Sequence, residues 1–316
     1  MRNSVLTIAL MIAAFLVSCN RDKGGGGIAV IPKGTTHVYW KSVQAGAQQA
    51  GKDLNVRILW KGPLKENDRQ GQISVVEQFV GDKVDAIVLA PLDDKALVKP
   101  VREAGDAKIP VVIIDSALQG QPGKDFVSYV ATDNRKGGEI AGTELARLLH
   151  GKGKVVLLRY MEGSASTADR EAGFLAVMKQ NPGIVMLADN RFAGATASEA
   201  QSAAMNMLDQ IGAADGVFCP NESSTFGMLL AMKQAGLAGK RKFVGFDATP
   251  QLVDALKAGD IDALVAQDPY KMGYEGVRQA VQAVQHKPVD PHVDTGVRLI
   301  TNARLKDPAV QKLLAH

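Results

Sequence analysis

Short apolar runs rich in β-branched residues alternate with amphipathic helical stretches from residue 28 onward. Most of these runs are continuously apolar, which is typical of parallel strands that are buried on both faces. Repeated strand–helix units predict an α/β protein in which helices flank open parallel sheets. The runs are too many for one open sheet in a chain of this length, so two doubly wound sheets of about six strands each are the simpler solution.

The division between the two predicted lobes is expected near Thr132–Asn134, where a strand ends and a polar turn opens a long helix. The apolar pattern also predicts one continuous helix over residues 197–208, and the last predicted strand covers residues 297–300. Asp115 and Asp247 each stand directly after a predicted strand.

The N-terminus has the pattern of an export signal. Arg2 supplies a positive charge, and residues 5–17 then form an apolar run of 13 residues broken only by Thr7. A membrane-spanning helix needs about 20 apolar residues, so the run is interpreted as the core of a signal peptide over residues 1–18. The sequence Leu16-Val17-Ser18-Cys19 is typical of a bacterial lipobox, whose cysteine becomes acylated. The alternative is an ordinary signal peptide that happens to contain a cysteine.

Residues 19–27 are polar and rich in glycine, and they are predicted to form a flexible tether that does not pack. We therefore expect a lipid-anchored protein of the cell envelope that faces the periplasm or the outer side of the cytoplasmic membrane. Without Arg2 the remaining chain carries 36 basic and 33 acidic residues, a net charge of +3. Because these charges are interspersed, no nucleic-acid partner is expected. Cys219 is the other cysteine, so with Cys19 acylated no disulfide framework forms, and Cys219 is predicted to be a buried apolar residue.

Polar or aromatic side chains follow several of the predicted strands. In open α/β sheets, ligands bind at the carboxyl ends of the strands, so these side chains are candidates for a binding site. Carboxylates accept hydrogen bonds from hydroxyl groups, amides both donate and accept them, and aromatic faces pack on the C–H groups of a sugar ring. The set therefore favours a sugar or a sugar-like polyol as ligand. It comprises Tyr39, Trp40, Asp115, Asn221, Asp247 and Gln267.

Structural alternatives exist for some of these residues. Asn221 could be a helix N-cap, Gln267 could complete a turn, and Tyr39 or Trp40 could be core residues at a helix start. For Asp247 capping is disfavoured, since Thr249 followed by proline has the pattern of a cap with proline at the first helical position.

Arg170 lies on the apolar face of a predicted helix whose start is expected at a capping box, Ser166 to Asp169. An unpaired buried charge is very costly, so this arginine must find acceptors. These acceptors are either a structural carboxylate or a ligand bound between the lobes.

Seven short stretches carry a family resemblance through their order and spacing. They are YWKSVQAGA (39–47), IPVVIID (109–115), ATDN (131–134), GGEIAG (137–142), PNE (220–222), VGFDATP (244–250) and AQ (266–267). Nearly the whole mature chain thus resembles the ribose-type periplasmic binding proteins of bacterial ABC sugar importers. The resemblance implies a type I fold with two lobes, a ligand held between them, and delivery of that ligand to an ABC permease in the inner membrane.

The family's sugar-contacting positions correspond here to Tyr39, Trp40, Asp115, Arg170, Asn221, Asp247 and Gln267. The chain departs from the family at two positions, with His37 in place of an asparagine and Ser116 in place of an arginine. Serine is expected to make the floor of the cleft wider and less positive, which would favour a ligand bulkier than ribose. An aromatic residue from the second lobe is expected near Phe192.

The resemblance also implies three chain crossings between the lobes, near Thr132-Asp133, Asp268-Pro269 and Thr295-Gly296. The N-terminal lobe then comprises residues 28–132 and 269–296, and the C-terminal lobe comprises residues 133–268 and 297–316. The protein is expected to be a monomer without a cofactor or a metal site.

Other functional classes are disfavoured. No motif of a nucleotide phosphate loop, a zinc protease or a serine hydrolase occurs, so the chain is not expected to be an enzyme. A repressor would need a DNA-binding headpiece, and a lipobox stands in its place. A lipoprotein that senses its ligand and signals to a membrane receptor stays open as an alternative to import.

Overall fold

The computed structural model describes residues 26–315. The predicted signal peptide over residues 1–18 and the predicted lipidation site Cys19 lie outside these residues. Within the described part, twelve strands form two six-stranded sheets, and helices cover both faces of each sheet. The α/β architecture with two parallel-dominant lobes, predicted from the sequence, is confirmed.

The first sheet has the strand order β11-β5-β4-β3-β1-β2, and all its neighbouring strands are parallel. Its strands are β1 (Ile28–Ile31), β2 (Ile58–Trp60), β3 (Ala86–Leu89), β4 (Val111–Ile114), β5 (Ser128–Ala131) and β11 (His292–Asp294). The helices of this lobe are α1 (Val38–Asp53), α2 (Arg69–Gly81), α3 (Val98–Asp106) and α10 (Pro269–Val284).

The second sheet has the order β12-β10-β9-β8-β6-β7, and its edge strand β12 runs antiparallel to β10. Its strands are β6 (Lys152–Arg159), β7 (Gly183–Phe192), β8 (Gly216–Phe218), β9 (Lys242–Phe246), β10 (Ala263–Gln267) and β12 (Val297–Thr301). Its helices are α4 (Asn134–Leu148), α5 (Ala165–Gln180), α6 (Ala197–Met205), α7 (Leu208–Ala213), α8 (Glu222–Gln234), α9 (Pro250–Ala258) and α11 (Pro308–Leu314), with a 3₁₀ turn over Asn302–Arg304.

The central strands are buried because helices cover them on both sides. Every residue of β1, β3 and β4 is buried, as is every residue of β8 and β10. Each lobe therefore has an apolar core on either face of its sheet. Cys219 belongs to one of these cores as a fully buried free cysteine.

Glycines allow one close helix pair in each lobe. A Cβ atom at Gly46 of α1 would collide with the carbonyl oxygen of Tyr270 in α10. A Cβ atom at Gly138 of α4 would collide in the same way with the carbonyl oxygen of Arg170 in α5. Both α1 and α5 carry residues that line the cavity described below. The glycine contacts therefore set how closely these two helices pack against their neighbours α10 and α4.

The chain passes between the two sheets three times: from β5 to α4, from β10 to α10 and from β11 to β12. Asp133 and Asp268 cap the helices that follow the first two passages, accepting the backbone N–H of Lys136 at 2.9 Å and of Lys271 at 2.8 Å. The third passage turns at Gly296, whose φ of 90° lies in the left-handed region that favours glycine.

The structure differs locally from the sequence-based expectations at three places. The helix predicted over residues 197–208 is interrupted after Met205, and α7 begins at Leu208. Strand β11 was not predicted because it is short and partly exposed. The predicted tether also ends too late, since the Gly27 backbone N–H donates to Asp85 at 3.0 Å.

Candidate functional site

A cavity lies between the two lobes at the carboxyl ends of both sheets. The space among its lining residues amounts to about 320 Å³, a figure that includes space open to solvent. Eight of the ten ligand-binding residues predicted from the sequence line this cavity. They are His37, Tyr39, Trp40, Asp115, Arg170, Asn221, Asp247 and Gln267.

Asp115 and Asp247 bring one carboxylate from each lobe. Each follows the last residue of a strand and has a left-handed backbone conformation, with φ of 64° and 69° respectively. Aspartate tolerates this conformation better than most non-glycine residues. The turn at the strand end thus aims both carboxylates into the space between the lobes.

Hydrogen bonds hold each carboxylate in place. Asp115 accepts from the Tyr39 hydroxyl at 3.0 Å and from the Lys33 ammonium group at 2.8 Å. Asp247 accepts from the Glu222 backbone N–H and from the Gln267 side-chain amide, both at 2.8 Å. Burial raises the pKa of Asp247 above its ordinary value, although Arg170 acts against that shift.

Arg170 is 2% exposed and lies in the second turn of α5. Its Nε donates to Asn134 Oδ1 at 2.8 Å, its Nη1 donates to the Pro220 carbonyl oxygen at 3.0 Å, and its guanidinium lies 4.0 Å from the centre of the Phe246 ring. Structural acceptors therefore satisfy part of the guanidinium. These acceptors are an amide oxygen and a carbonyl oxygen, and not the structural carboxylate that was one of the two expectations from the sequence.

Two buried polar atoms in the cavity lining remain without a hydrogen-bond partner among residues 26–315. These are Arg170 Nη2, which can only donate, and Gln267 Oε1, which can only accept. A buried polar atom without a partner costs roughly 1–3 kcal/mol. The cavity thus offers one unused donor and one unused acceptor to a small polar molecule.

The first turn of α1 contributes two aromatic rings. Tyr39 and Trp40 form an edge-to-face pair with ring centres 5.0 Å apart and an interplanar angle of 87°. The Trp40 indole N–H donates to Glu66 Oε1 at 2.7 Å, which fixes the ring position. Both aromatic residues pack in the lobe core and also line the cavity.

His37, Glu66 and Tyr160 link the lobes at the same cavity. The Tyr160 hydroxyl, from the second lobe, donates to Glu66 Oε2 at 2.7 Å, and His37 Nδ1 lies 2.9 Å from Glu66 Oε1. Burial opposes the ionised form of Glu66, but His37, Lys33 and the Tyr160 hydrogen bond lower its pKa to about 2. Burial raises the pKa of the neighbouring Glu222 to about 7, against the attraction of His37.

Ser116, which was expected in the cleft floor, is not among the residues that line the cavity. Ser116 is fully buried, and its hydroxyl accepts the backbone N–H of Ser166 at 3.1 Å. Nor is the floor poor in positive charge, because the Lys33 ammonium group lies between Asp115 and the Ser166 hydroxyl, which it contacts at 3.0 Å. The Lys33 ammonium group thus supplies a positive charge without an arginine at position 116, and a ligand bulkier than ribose stays a prediction.

Phe192 also lies outside the cavity. It ends β7, is 41% exposed, and has the Arg159 guanidinium 6.0 Å from its ring centre. The aromatic residue that the second lobe brings to the cavity is Tyr160, directly after β6.

Asn221 is a helix N-cap, which was its structural alternative, and it also lines the cavity. Its side chain caps α8 in a capping box with Ser224. The helix predicted to start at a capping box over 166–169 instead has Ser164 at its N-cap, so Ser166 lies inside α5.

Between residues 26 and 315, no helix combines the length and the apolar character that a bilayer crossing requires. The same residues contain no group of three or more histidine, cysteine, aspartate or glutamate side chains placed to hold a metal ion.

The comparison with known families decides the affiliation of the chain. The family described as "Periplasmic binding protein domain" matches residues 28–288. The chain belongs to the periplasmic binding protein family.

Characterised family members are similar over most of their length. The D-ribose/D-allose-binding protein of Pseudomonas aeruginosa is 31% identical over 285 residues, covering 87% of this chain and 88% of the relative. A carbohydrate transporter solute binding protein from Agrobacterium radiobacter, solved with D-arabinose, shares 37% identity and a TM-score of 0.87, covering 92% of this chain and 99% of that one. A solute binding protein from Agrobacterium vitis, solved with D-fucose, has 34% identity and a TM-score of 0.88, with 91% and 99% covered. These relatives are binding components of transport systems and not enzymes.

Sequence reasoning missed several residues that line the cavity of this family member. Lys33 and Tyr160 follow β1 and β6, so the strand-end rule could have found them, and Glu222 stands next to Asn221. Glu66 lies in the loop after β2 and carries no local signal. The six missed residues are Lys33, Glu66, Tyr160, Ser166, Thr167 and Glu222.

Proposed function

We propose that the protein is the solute-binding component of an ABC importer that captures a sugar or sugar-like polyol between its lobes and delivers it to a membrane permease. The observation that carries the proposal is the pair of unsatisfied atoms, Arg170 Nη2 and Gln267 Oε1, inside a cavity that also presents a carboxylate from each lobe. A polyhydroxylated ring supplies both the acceptors and the donors that such a site needs.

The remaining side chains support a ring with several hydroxyl groups. Asp115 and Asp247 each retain lone pairs that can accept from hydroxyls on opposite sides of the ring, and the Trp40 ring can pack on C–H groups. The relatives described above were named or solved with ribose, allose, arabinose and fucose, all uncharged monosaccharides.

The charges of the cavity favour a neutral ligand over a charged one. Lys33 is paired with Asp115 at 2.8 Å and His37 with Glu66 at 2.9 Å, so these charges already compensate each other. A sugar acid would place an additional carboxylate beside the buried carboxylates of both lobes, where like charges destabilise each other.

Attachment to the membrane through an acyl chain on Cys19 is part of the proposal. The lipobox pattern at residues 16–19 supports it, and the glycine-rich segment that follows would let the lobes move away from the bilayer. We expect the protein to act as a monomer.

A ligand panel tests the binding function. Purified protein without its first 25 residues is titrated by calorimetry and thermal unfolding with aldopentoses, aldohexoses, 6-deoxyhexoses and cyclitols, and with aldonic and uronic acids as charged controls. A ligand at 100 times its Kd stabilises the fold by about 2.7 kcal/mol, so binding is visible as a raised Tm. We expect one or more neutral members to bind and the acids to bind more weakly. Failure of every neutral member, or preference for an acid, would contradict the proposal.

Delivery to a permease needs a cellular test. Cells that lack the protein should lose uptake of the radiolabelled ligand identified by the panel, and the wild-type gene should restore it. Normal uptake in the deleted strain would separate binding from import and would contradict the transport role.

A further inference from the structure

Glu222 brings a further carboxylate to the cavity, from the start of α8 in the second lobe. It is the first residue of that helix, next to the N-cap Asn221, and its side chain is 12% exposed. Its backbone N–H donates to Asp247 at 2.8 Å, which fixes the start of α8 beside that aspartate. The Glu222 side chain lines the cavity and reaches toward the first lobe, where its Oε2 lies 3.6 Å from His37 Nδ1.

The histidine does not satisfy this carboxylate. A separation of 3.6 Å is too long for a hydrogen bond, and His37 Nδ1 already lies 2.9 Å from Glu66 Oε1. Among residues 26–315, no N–H or O–H group donates a hydrogen bond to either carboxylate oxygen of Glu222. Each of the other three carboxylates in the cavity lining accepts at least two hydrogen bonds or ion-pair contacts. Both oxygen atoms of Glu222 are therefore free to accept from a ligand.

An acidic residue in the first turn of a helix also has a structural explanation, because it interacts favourably with the helix dipole. That interaction does not require burial, and Asp209 has such a position in α7 with an exposed side chain. Glu222 differs, since burial raises its pKa to about 7; the charge of His37 opposes the shift, and the charges of Asp247 and Glu66 add to it. The cavity thus disfavours the charge of Glu222, and a hydrogen-bond donor on a ligand would stabilise it.

The polar groups of the cavity that lack a hydrogen-bond partner are mainly acceptors. Within the described part of the chain, Glu222 offers two oxygen atoms and Gln267 offers Oε1, whereas Arg170 Nη2 is an unpaired donor. An ionised carboxylate can only accept hydrogen bonds. A ligand must therefore present a hydroxyl hydrogen to Glu222, and a fluorine atom in place of that hydroxyl would leave the carboxylate unsatisfied.

We propose that Glu222 is a specificity-determining contact, whose carboxylate accepts a hydrogen bond from one ligand hydroxyl and so selects sugars in which that hydroxyl is present and unsubstituted. The inference rests on the proposed function, because it takes the ligand to be a sugar. Glu222→Gln keeps an oxygen atom and the shape of the side chain but removes the charge. From the difference between a charged and a neutral hydrogen bond, this variant should bind the sugar about 5- to 30-fold more weakly.

A thermodynamic cycle between ligand and protein tests the contact. The tightest-binding sugar of the panel is compared by calorimetry with its deoxy and deoxyfluoro analogues, one ring position at a time. The titrations are run at pH 8, where a carboxyl group with a pKa of about 7 is mostly ionised. In the wild type we expect a position at which both replacements weaken binding by on the order of 10- to 100-fold. In Glu222→Gln the loss at that position should be about 5- to 30-fold smaller, and the losses at the other positions should be unchanged.

Two further variants complete the design. Asp209→Asn removes an acidic residue from the first turn of a helix outside the cavity, so it should keep the wild-type affinity and the wild-type losses for every analogue. Glu222→Asp keeps the charge but withdraws the carboxylate by one methylene group, and it should reduce the loss at the same ring position as Glu222→Gln. Thermal unfolding without ligand establishes that each variant is folded.

The possible outcomes separate this inference from the binding function. An affinity of folded Glu222→Gln within about twofold of the wild type, or equal losses at every ring position in the wild type and in both Glu222 variants, would overturn the role of Glu222 and leave the binding function intact. A wild-type protein that tolerates fluorine at every ring position would do the same without any variant. Absence of binding by every sugar in the panel would overturn both proposals.

Discussion

Replacing Asp247 with asparagine would remove one charge from the cavity while preserving the shape of the side chain. The asparagine side chain would keep an oxygen for the Glu222 backbone N–H, which Asp247 now accepts at 2.8 Å. Its amide group could donate to Gln267 Oε1, an atom without a partner among the described residues, if the Gln267 amide turned over. Asparagine also tolerates the left-handed φ of 69° found at this position.

The expected effects on folding and on binding differ in size. Burial raises the pKa of Asp247, so the fold disfavours the ionised form, and stability falls as the pH rises from 3.8 to the raised pKa. Asp247→Asn removes this cost, and the unfolding free energy of the ligand-free protein at pH 7 should change by less than about 1 kcal/mol. A hydrogen bond to a charged group contributes roughly 1.5–3 kcal/mol and a neutral one roughly 0.5–1.5, so the affinity should fall by about 1–2 kcal/mol, or about 5- to 30-fold.

Calorimetric titration with the tightest-binding sugar, together with thermal unfolding of the ligand-free variant, measures both effects. The companion variant Asp247→Ala leaves the Glu222 N–H without its acceptor and should lower ligand-free stability by about 1–3 kcal/mol. The position of Asp247 after a strand does not by itself predict that cost, because the Glu222 contact forms only in the folded lobe. An Asp247→Asn variant that is folded and binds as tightly as the wild type would show that Asp247 serves only the turn after β9.

Three further predictions concern the anchor, the buried arginine and the helix contacts. Cys19→Ser should leave the protein soluble or unprocessed in membrane fractionation, because the acyl chain has no other attachment point, and a processed variant still bound to the membrane would refute lipidation. Arg170→Met should lower the urea-unfolding free energy by about 2–4 kcal/mol even without ligand, since it loses two hydrogen bonds and its contact with a phenylalanine ring; an unchanged midpoint would contradict this. Gly138→Ala should lower the free energy of unfolding by about 1–3 kcal/mol or more, because its Cβ atom would collide with the backbone of α5. The control Gly81→Ala, whose Cβ atom would have open space around it, should be neutral or slightly stabilising. Equal effects of the two variants in thermal unfolding would refute the packing argument.

The fold could be predicted from the sequence because its signal is repeated. The continuous apolar runs over residues 111–114 and 263–266 become fully buried strand segments, and Asp115 and Gln267, which directly follow them, reach the cavity. Edge elements carry a weaker signal. Strand β11 is exposed along one side and α11 has only seven residues, so neither shows the periodicity that identifies a buried element.

The site could be predicted only where its residues stand directly after strands. Asp115 and Asp247 satisfy that rule, whereas Glu66 comes from a loop that meets Tyr160 only when the two lobes touch. Contacts across the lobes depend on tertiary geometry, and sequence spacing does not record them. The same limit applies to Ser116, whose position beside Asp115 in the chain did not reveal that its hydroxyl accepts the backbone N–H of Ser166.

The three passages of the chain between the sheets constrain how the protein can reach its native state. The first lobe obtains helix α10 and strand β11 only from residues 269–294. Tyr129 of β5 therefore pairs with His292 of β11, and the sequence separation of these two residues exceeds half of the chain length. Contacts between residues so distant in sequence slow folding, because the intervening loop must close before the contact can form. A chain that emerges from its N-terminus therefore cannot complete either lobe until nearly all of it is available, and during that interval it remains a substrate for chaperones and proteases.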